Sequence, residues 1–125
     1  MIPHSTLLSR LQASFGITGS ALSFITSYLS NRSQRVRVGQ SLSESTVCDT
    51  GVPQGSVLGP LLFSLYVSPI GQIASLSNIS LQQYADDTQL YFSSSAAELQ
   101  SNLTRFEQCL ETLHSWFCHN GLVLN

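Results

Sequence analysis

Leu81-Gln82-Gln83-Tyr84-Ala85-Asp86-Asp87-Thr88-Gln89-Leu90-Tyr91-Phe92 decides the reading of this chain. Leu81 to Tyr84 and Thr88 to Phe92 are short and rich in aromatic and β-favouring residues, so they predict two strands joined by a hairpin whose polar tip is Ala85-Asp86-Asp87. Two adjacent carboxylates are costly there, since unit charges about 4 Å apart repel by about 4 kcal/mol at an effective dielectric near 20. A divalent cation removes that cost, and carboxylate, water and phosphate oxygens suit octahedral magnesium. A pair of such ions can clamp an in-line phosphoryl transfer. Taken alone, the acids are a weak signal and read first as a solvated turn.

Outward from the hairpin, the longest periodic segment lies on its C-terminal side. Leu99, Leu103, Phe106, Leu110, Leu113 and Phe117 recur at steps of four and three, which predicts an amphipathic helix. Ser95-Ala96-Ala97-Glu98 reads as its capping box and Asn120-Gly121 as its end. Leu122 to Leu124 reads as the start of a further strand. On the N-terminal side, Ser56 is placed to cap a helix running to about Ser68, with Pro60 tolerated in its first turn and Pro69 kinking or ending it. Thr6 to Phe15 and Ser20 to Leu29 read as two more helices, ended near Gly16 and Asn31. Arg35-Val36-Arg37-Val38 alternates with period two, predicting a strand that pairs with Thr46 to Cys48 across a Gly39 to Glu44 turn. The whole is an α+β domain.

Composition narrows the function. The 125 residues hold five Arg, no Lys and seven acids, for a net charge of −2, so the chain lacks the basic footprint of an autonomous nucleic-acid binder. Arg32, Arg35 and Arg37 remain available for template phosphates, although a solvated strand face accounts equally well for the last two. Cys48, Cys109 and Cys118 follow no disulfide or zinc spacing, so free thiols are expected. His114 and Cys118, with Cys109 and His119 nearby, cannot supply four converging zinc ligands from one helix face. No charge falls between Gly51 and Ala85, but Gly59, Pro60, Ser64, Ser68, Pro69 and Gly71 interrupt that run, so a membrane span is not expected.

A second motif gives the acids their context. Gly51-Val52-Pro53-Gln54-Gly55-Ser56-Val57-Leu58-Gly59-Pro60-Leu61-Leu62-Phe63, followed by Tyr84-Ala85-Asp86-Asp87, resembles the reverse transcriptase domain of non-LTR (LINE-type) retrotransposons. Ser27 to Arg32 with Val36 and Val38 is similar to the segment upstream of the glycine box, and Trp116 to Asn125 to the segment after the hairpin. The resemblance implies a partial palm with part of the fingers, a small antiparallel sheet packed by helices, over residues 1–125. It implies that Asp86 bridges two magnesium ions and Asp87 supports the same site, that Tyr84 and Ala85 lie beneath the primer end, and that Gln54 and Gly55 line the pocket of the incoming nucleotide and template base. Glycine at 55 suits the close approach of a planar substrate. RNA template, DNA primer and deoxynucleoside triphosphate are the implied partners, in the nucleus or cytoplasm and without a membrane.

Two departures qualify the expectation. The family's first catalytic aspartate would fall just before Met1, and Pro3 stands where the pattern's second aspartate would be. The family's lysine-bearing turn and thumb lie beyond Leu124-Asn125. The palm is therefore expected to be cut at both edges, to hold magnesium weakly or not at all, and to be inactive alone. Asp49, in a loop before Gly51, is a poor substitute for the first aspartate. The rival expectations are a non-enzymatic retrotransposon remnant and, lower, a membrane-associated polypeptide.

Overall fold

The computed structural model describes residues 1–124, which form two compact units divided after Gln54. Each is described by itself.

In the first unit, α1 (His4–Phe15) and α2 (Gly19–Leu29) pack together. Leu7, Leu11 and Leu29 are buried, matching the apolar spacing of both helices, whereas Phe15 at the end of the α1 stripe is exposed. Gly16 ends α1 in the left-handed region, its N–H donating to the Gln12 carbonyl while the Ile17 N–H donates to that of Leu11. Asn31, also at positive φ, turns the chain out of α2 into a ribbon.

That ribbon departs from the expected pairing. β1 (Arg32–Gln34) pairs antiparallel with β4 (Thr46–Cys48), and β2 (Arg37–Val38) pairs with β3 (Ser41–Leu42) around Gly39. The partner of Thr46 to Cys48 is thus Arg32 to Gln34 and not Arg35 to Val38. The cause lies in Ser43, whose Oγ accepts the Val36 N–H at 2.9 Å while its own N–H donates to the Val36 carbonyl at 2.9 Å. This side-chain bond takes the place of a ladder bond, so residues 35–36 face residues 43–45, a bulge that breaks the ribbon into two ladders. Val36 and Val38 are exposed together with the arginines, so the predicted division into an apolar and a charged face does not occur.

In the second unit, α3 (Leu58–Val67) and α4 (Pro69–Leu76) lead into the hairpin β5 (Ser80–Tyr84) and β6 (Asp87–Tyr91), and α5 (Leu99–His119) follows. The Ser56 Oγ accepts the Gly59 N–H at 3.0 Å, serving α3 as expected. Pro69 occupies the first turn of α4, where its missing N–H costs nothing. Helical structure from Leu58 to Leu76 is long and apolar enough to cross a membrane by length and composition. Here Leu62, Tyr66, Val67, Ile70 and Ala74 on that run are covered by packing.

The core of the unit is Ile70, Ala74, Ile79, Cys109 and Leu113, bordered by Leu81, Leu90, Phe92, Phe106, Trp116 and Phe117. Both strands alternate exposed and half-buried residues, so Leu81 and its partner Leu90 face this core while Tyr84, Asp87, Gln89 and Tyr91 face outward. A two-stranded hairpin is marginal alone, and packing on α4 and α5 supplies what it lacks.

Three expectations for this region need correction. The buried line of α5 runs through Cys109 and Leu113, while Leu99, Leu103 and Leu110 are exposed. The six positions span only about 80° of the helix surface, and the core covers the edge of that arc on the Cys109 side, leaving Leu99, Leu103 and Leu110 on the open edge. The Ser95 hydroxyl donates to the Glu98 carboxylate at 2.9 Å rather than accepting a helix N–H, and α5 begins at Leu99. Residues 122–124 form no strand. Asn120 and Gly121 do end α5, the latter at φ +70°. Asn125, included in the resemblance, lies outside the described residues.

Candidate functional site

The hairpin tip is a two-residue turn. Tyr84 pairs with Asp87, leaving Ala85 and Asp86 as the loop. Ala85 has φ +54°, a left-handed conformation that costs an L-residue with a Cβ about 1–2 kcal/mol and is normally filled by Gly, Asn or Asp. The turn is braced from within, since the Gln83 amide Nε2 donates to the Ala85 carbonyl at 3.1 Å. Backbone strain of this kind persists only where its surroundings over-determine it.

The consequence is an exposed acidic corner. Asp86 and Asp87 are both exposed, and no arginine pairs with either carboxylate among the described residues. Tyr84, also exposed, stands across the ladder from Asp87 on the same outward face. No group of three His, Cys, Asp or Glu side chains suited to a metal ion occurs among the described residues. Two adjacent carboxylates with free lone pairs fit one side of a magnesium site, and water or substrate oxygens must complete it.

Gln54 and Gly55, the other predicted nucleotide-side residues, are exposed at the end of the first unit and the start of the second. The loop before them is tightly held. The Gly51 N–H donates to the Ile2 carbonyl at 2.7 Å, Pro3 and Thr50 form an isolated bridge, and the His4 Nε2 lies 2.7 Å from the Gly51 carbonyl. Gly51, at φ +82°, adopts a backbone open to glycine at little cost. A cleft of about 440 Å³ adjoins this loop, with His4, Arg32, Gln34, Thr50 and Gln54 among its lining.

The three arginines separate. Arg32 lines the cleft and stacks on Tyr28, whereas Arg35 and Arg37 lie exposed along the ribbon. Asp49 is an exposed loop acid, as expected. His114 and Cys118 approach to 3.9 Å on one face of α5, while the His119 ring is engaged with the Ser115 carbonyl. The sequence reading missed the His4 bond, which joins positions 47 apart and leaves no local signal, and the Tyr28–Arg32 stack, which the i, i+4 spacing does signal.

The chain thus carries a Tyr-Ala-Asp-Asp turn in its second unit and a Gly-Val-Pro-Gln-Gly loop that starts in its first. Residues 1–125 match the family model "Reverse transcriptase (RNA-dependent DNA polymerase)", and the chain belongs to that family. Among its relatives in Drosophila melanogaster, the "Probable RNA-directed DNA polymerase from transposon BS" is 34% identical over 118 residues, covering 90% of this chain and 13% of the relative. The "RNA-directed DNA polymerase from mobile element jockey" is 33% identical over 98 residues, covering 70% of this chain and 11% of the relative. The "Probable RNA-directed DNA polymerase from transposon X-element" is 41% identical over 63 residues, covering 49% and 7%. The LINE-type resemblance is borne out, and the chain spans at most 13% of the length of these three relatives. No solved structure matches the chain.

Proposed function

We propose that this chain carries one side of the nucleotidyl-transfer centre of an RNA-directed DNA polymerase, within a partial palm. The observation that carries the reading is the hairpin tip, where Ala85 at φ +54° turns the chain so that Asp86 and Asp87 stand exposed and unpaired. Asp86 and Asp87 would hold magnesium, which when bound neutralises charge on the phosphates during in-line transfer from a deoxynucleoside triphosphate to a primer hydroxyl. Tyr84 offers an exposed ring beside the acids for the primer end. Gln54 offers an amide, and Gly55 a backbone with open space where a side chain would stand, to the nucleotide and the template base. RNA template and DNA primer are the proposed partners, with Arg35 and Arg37 supplying two phosphate contacts from the ribbon.

The described residues gather only two carboxylates at the tip, so catalysis by these 125 residues alone is not part of the proposal. The test is magnesium-dependent binding of a deoxynucleoside triphosphate, followed by NMR in the native chain and in Asp86→Asn and Gln54→Ala. Each substitution is expected to weaken binding. Binding unchanged in both variants contradicts the reading.

A further inference from the structure

Arg32 leaves α2 four residues after Tyr28 and folds back over it. Its Nε donates to the Tyr28 carbonyl at 2.7 Å, and the guanidinium carbon stands 4.6 Å from the centroid of the Tyr28 ring. The ring is itself fixed by packing, since its hydroxyl is sealed from solvent without a hydrogen-bond partner. A guanidinium held by its Nε and one face keeps both terminal nitrogens for a ligand, and its rotamer freedom is already spent.

Arg32 also lines the cleft of about 440 Å³ beside the Gly51 loop. Arg32 is the one permanently charged side chain in its lining, which includes no carboxylate, and Gln34, Thr50 and Gln54 add neutral polar groups. The His4 Nε2 is already committed to the Gly51 carbonyl. One side-chain cation with no competing acid, set among amides, hydroxyls and the apolar Leu29, Val52 and Pro53, suits a phosphate oxyanion.

We propose that Arg32, oriented by Tyr28, anchors a phosphate oxyanion in this cleft, and that it differs in role from Arg35 and Arg37. Tyr28 is a positioning residue that acts through Arg32. The phosphate belongs either to a free triphosphate or to the phosphodiester of a strand. This inference deepens the nucleotide reading of Gln54 and rests on it only through that shared lining residue.

The experiment titrates the full chain with inorganic tripolyphosphate, following the Arg Nε–H and Gln side-chain signals by NMR. Saturable shifts are expected at Arg32. Arg32→Gln is expected to weaken binding by about tenfold, Arg32→Lys by less, and Arg35→Gln and Arg37→Gln by no more than about twofold. Tyr28→Leu weakens binding with the Arg32 charge intact, and if that variant does not fold, Arg32→Gln against Arg32→Lys still separates an oriented fork from a bare charge. Deoxythymidine triphosphate and a short oligothymidylate, titrated in parallel, identify the source of the phosphate. Equal losses in all three Arg→Gln variants, or no saturable shift at Arg32, overturn the proposal. Loss in Arg32→Gln with no effect of Gln54→Ala keeps this inference and removes Gln54 from the nucleotide reading, and the converse result does the reverse.

Discussion

Truncating Leu113 to Ala tests the packing of the second unit. Leu113 is 3% exposed and belongs to the core with Ile70, Ala74, Ile79 and Cys109, whereas Leu110 on the same helix is 43% exposed. A fully buried Leu→Ala change forfeits the transfer energy of the lost methyls and leaves a cavity, together about 3–5 kcal/mol. At Leu110 little more than half of the side chain is covered and water fills the space, so about 1 kcal/mol is expected. The difference, about 2–4 kcal/mol, is a large part of a domain's ordinary 5–15 kcal/mol. Trp116 is the chain's one tryptophan and lies on α5, so its fluorescence in urea reports this unit and not the first. Equal midpoint shifts for Leu110→Ala and Leu113→Ala would refute the assignment of the buried face. Should Leu113→Ala not fold at all, Ile79→Val, with an expected cost of about 0.5–1.5 kcal/mol, gives the gentler reading of the same core.

Ala85→Gly is expected to stabilise the hairpin by up to about 1 kcal/mol, because relief at φ +54° outweighs the added freedom of the unfolded chain; loss of stability in thermal unfolding would show the turn to be unstrained. Tyr66→Phe removes the hydroxyl that donates to the Asn120 carbonyl at 2.8 Å and is expected to cost about 1 kcal/mol by urea denaturation, with no change meaning that the bond contributes nothing. Primer extension on an RNA template, with the native chain beside Asp86→Ala, is expected to show no incorporation by either; incorporation lost only in the variant would place a complete centre in these residues.

Much of the fold was legible because its signals are local. Helix ends at Gly16 and Asn120-Gly121, the Ser56 hydroxyl and the acidic hairpin all follow from neighbouring residues, although Asp87, expected in the tip, begins β6. The ribbon was misread because Ser43 bonds Val36 through its side chain, a choice that strand alternation does not encode. The start of α5 moved by a turn because Ser95 found Glu98's carboxylate instead of a backbone N–H. Apolar periodicity marks α5 but does not encode that the core is offset to one edge of the stripe, which brings Cys109 in and leaves Leu103 and Leu110 out. At the site, the glycine box and the acids were visible as motifs, whereas the His4 contact that pins Gly51 joins residues remote in sequence.

The central claim, that Asp86 and Asp87 form one side of a metal centre, is tested most directly with manganese as a paramagnetic stand-in for magnesium. Added at a small fraction of the protein concentration, it is expected to broaden the amide signals of residues 84–88 selectively, with magnesium competing and Asp86→Asn combined with Asp87→Asn abolishing the effect. Broadening centred on other acids such as Glu107 and Glu111, or undiminished in the double variant, would contradict it.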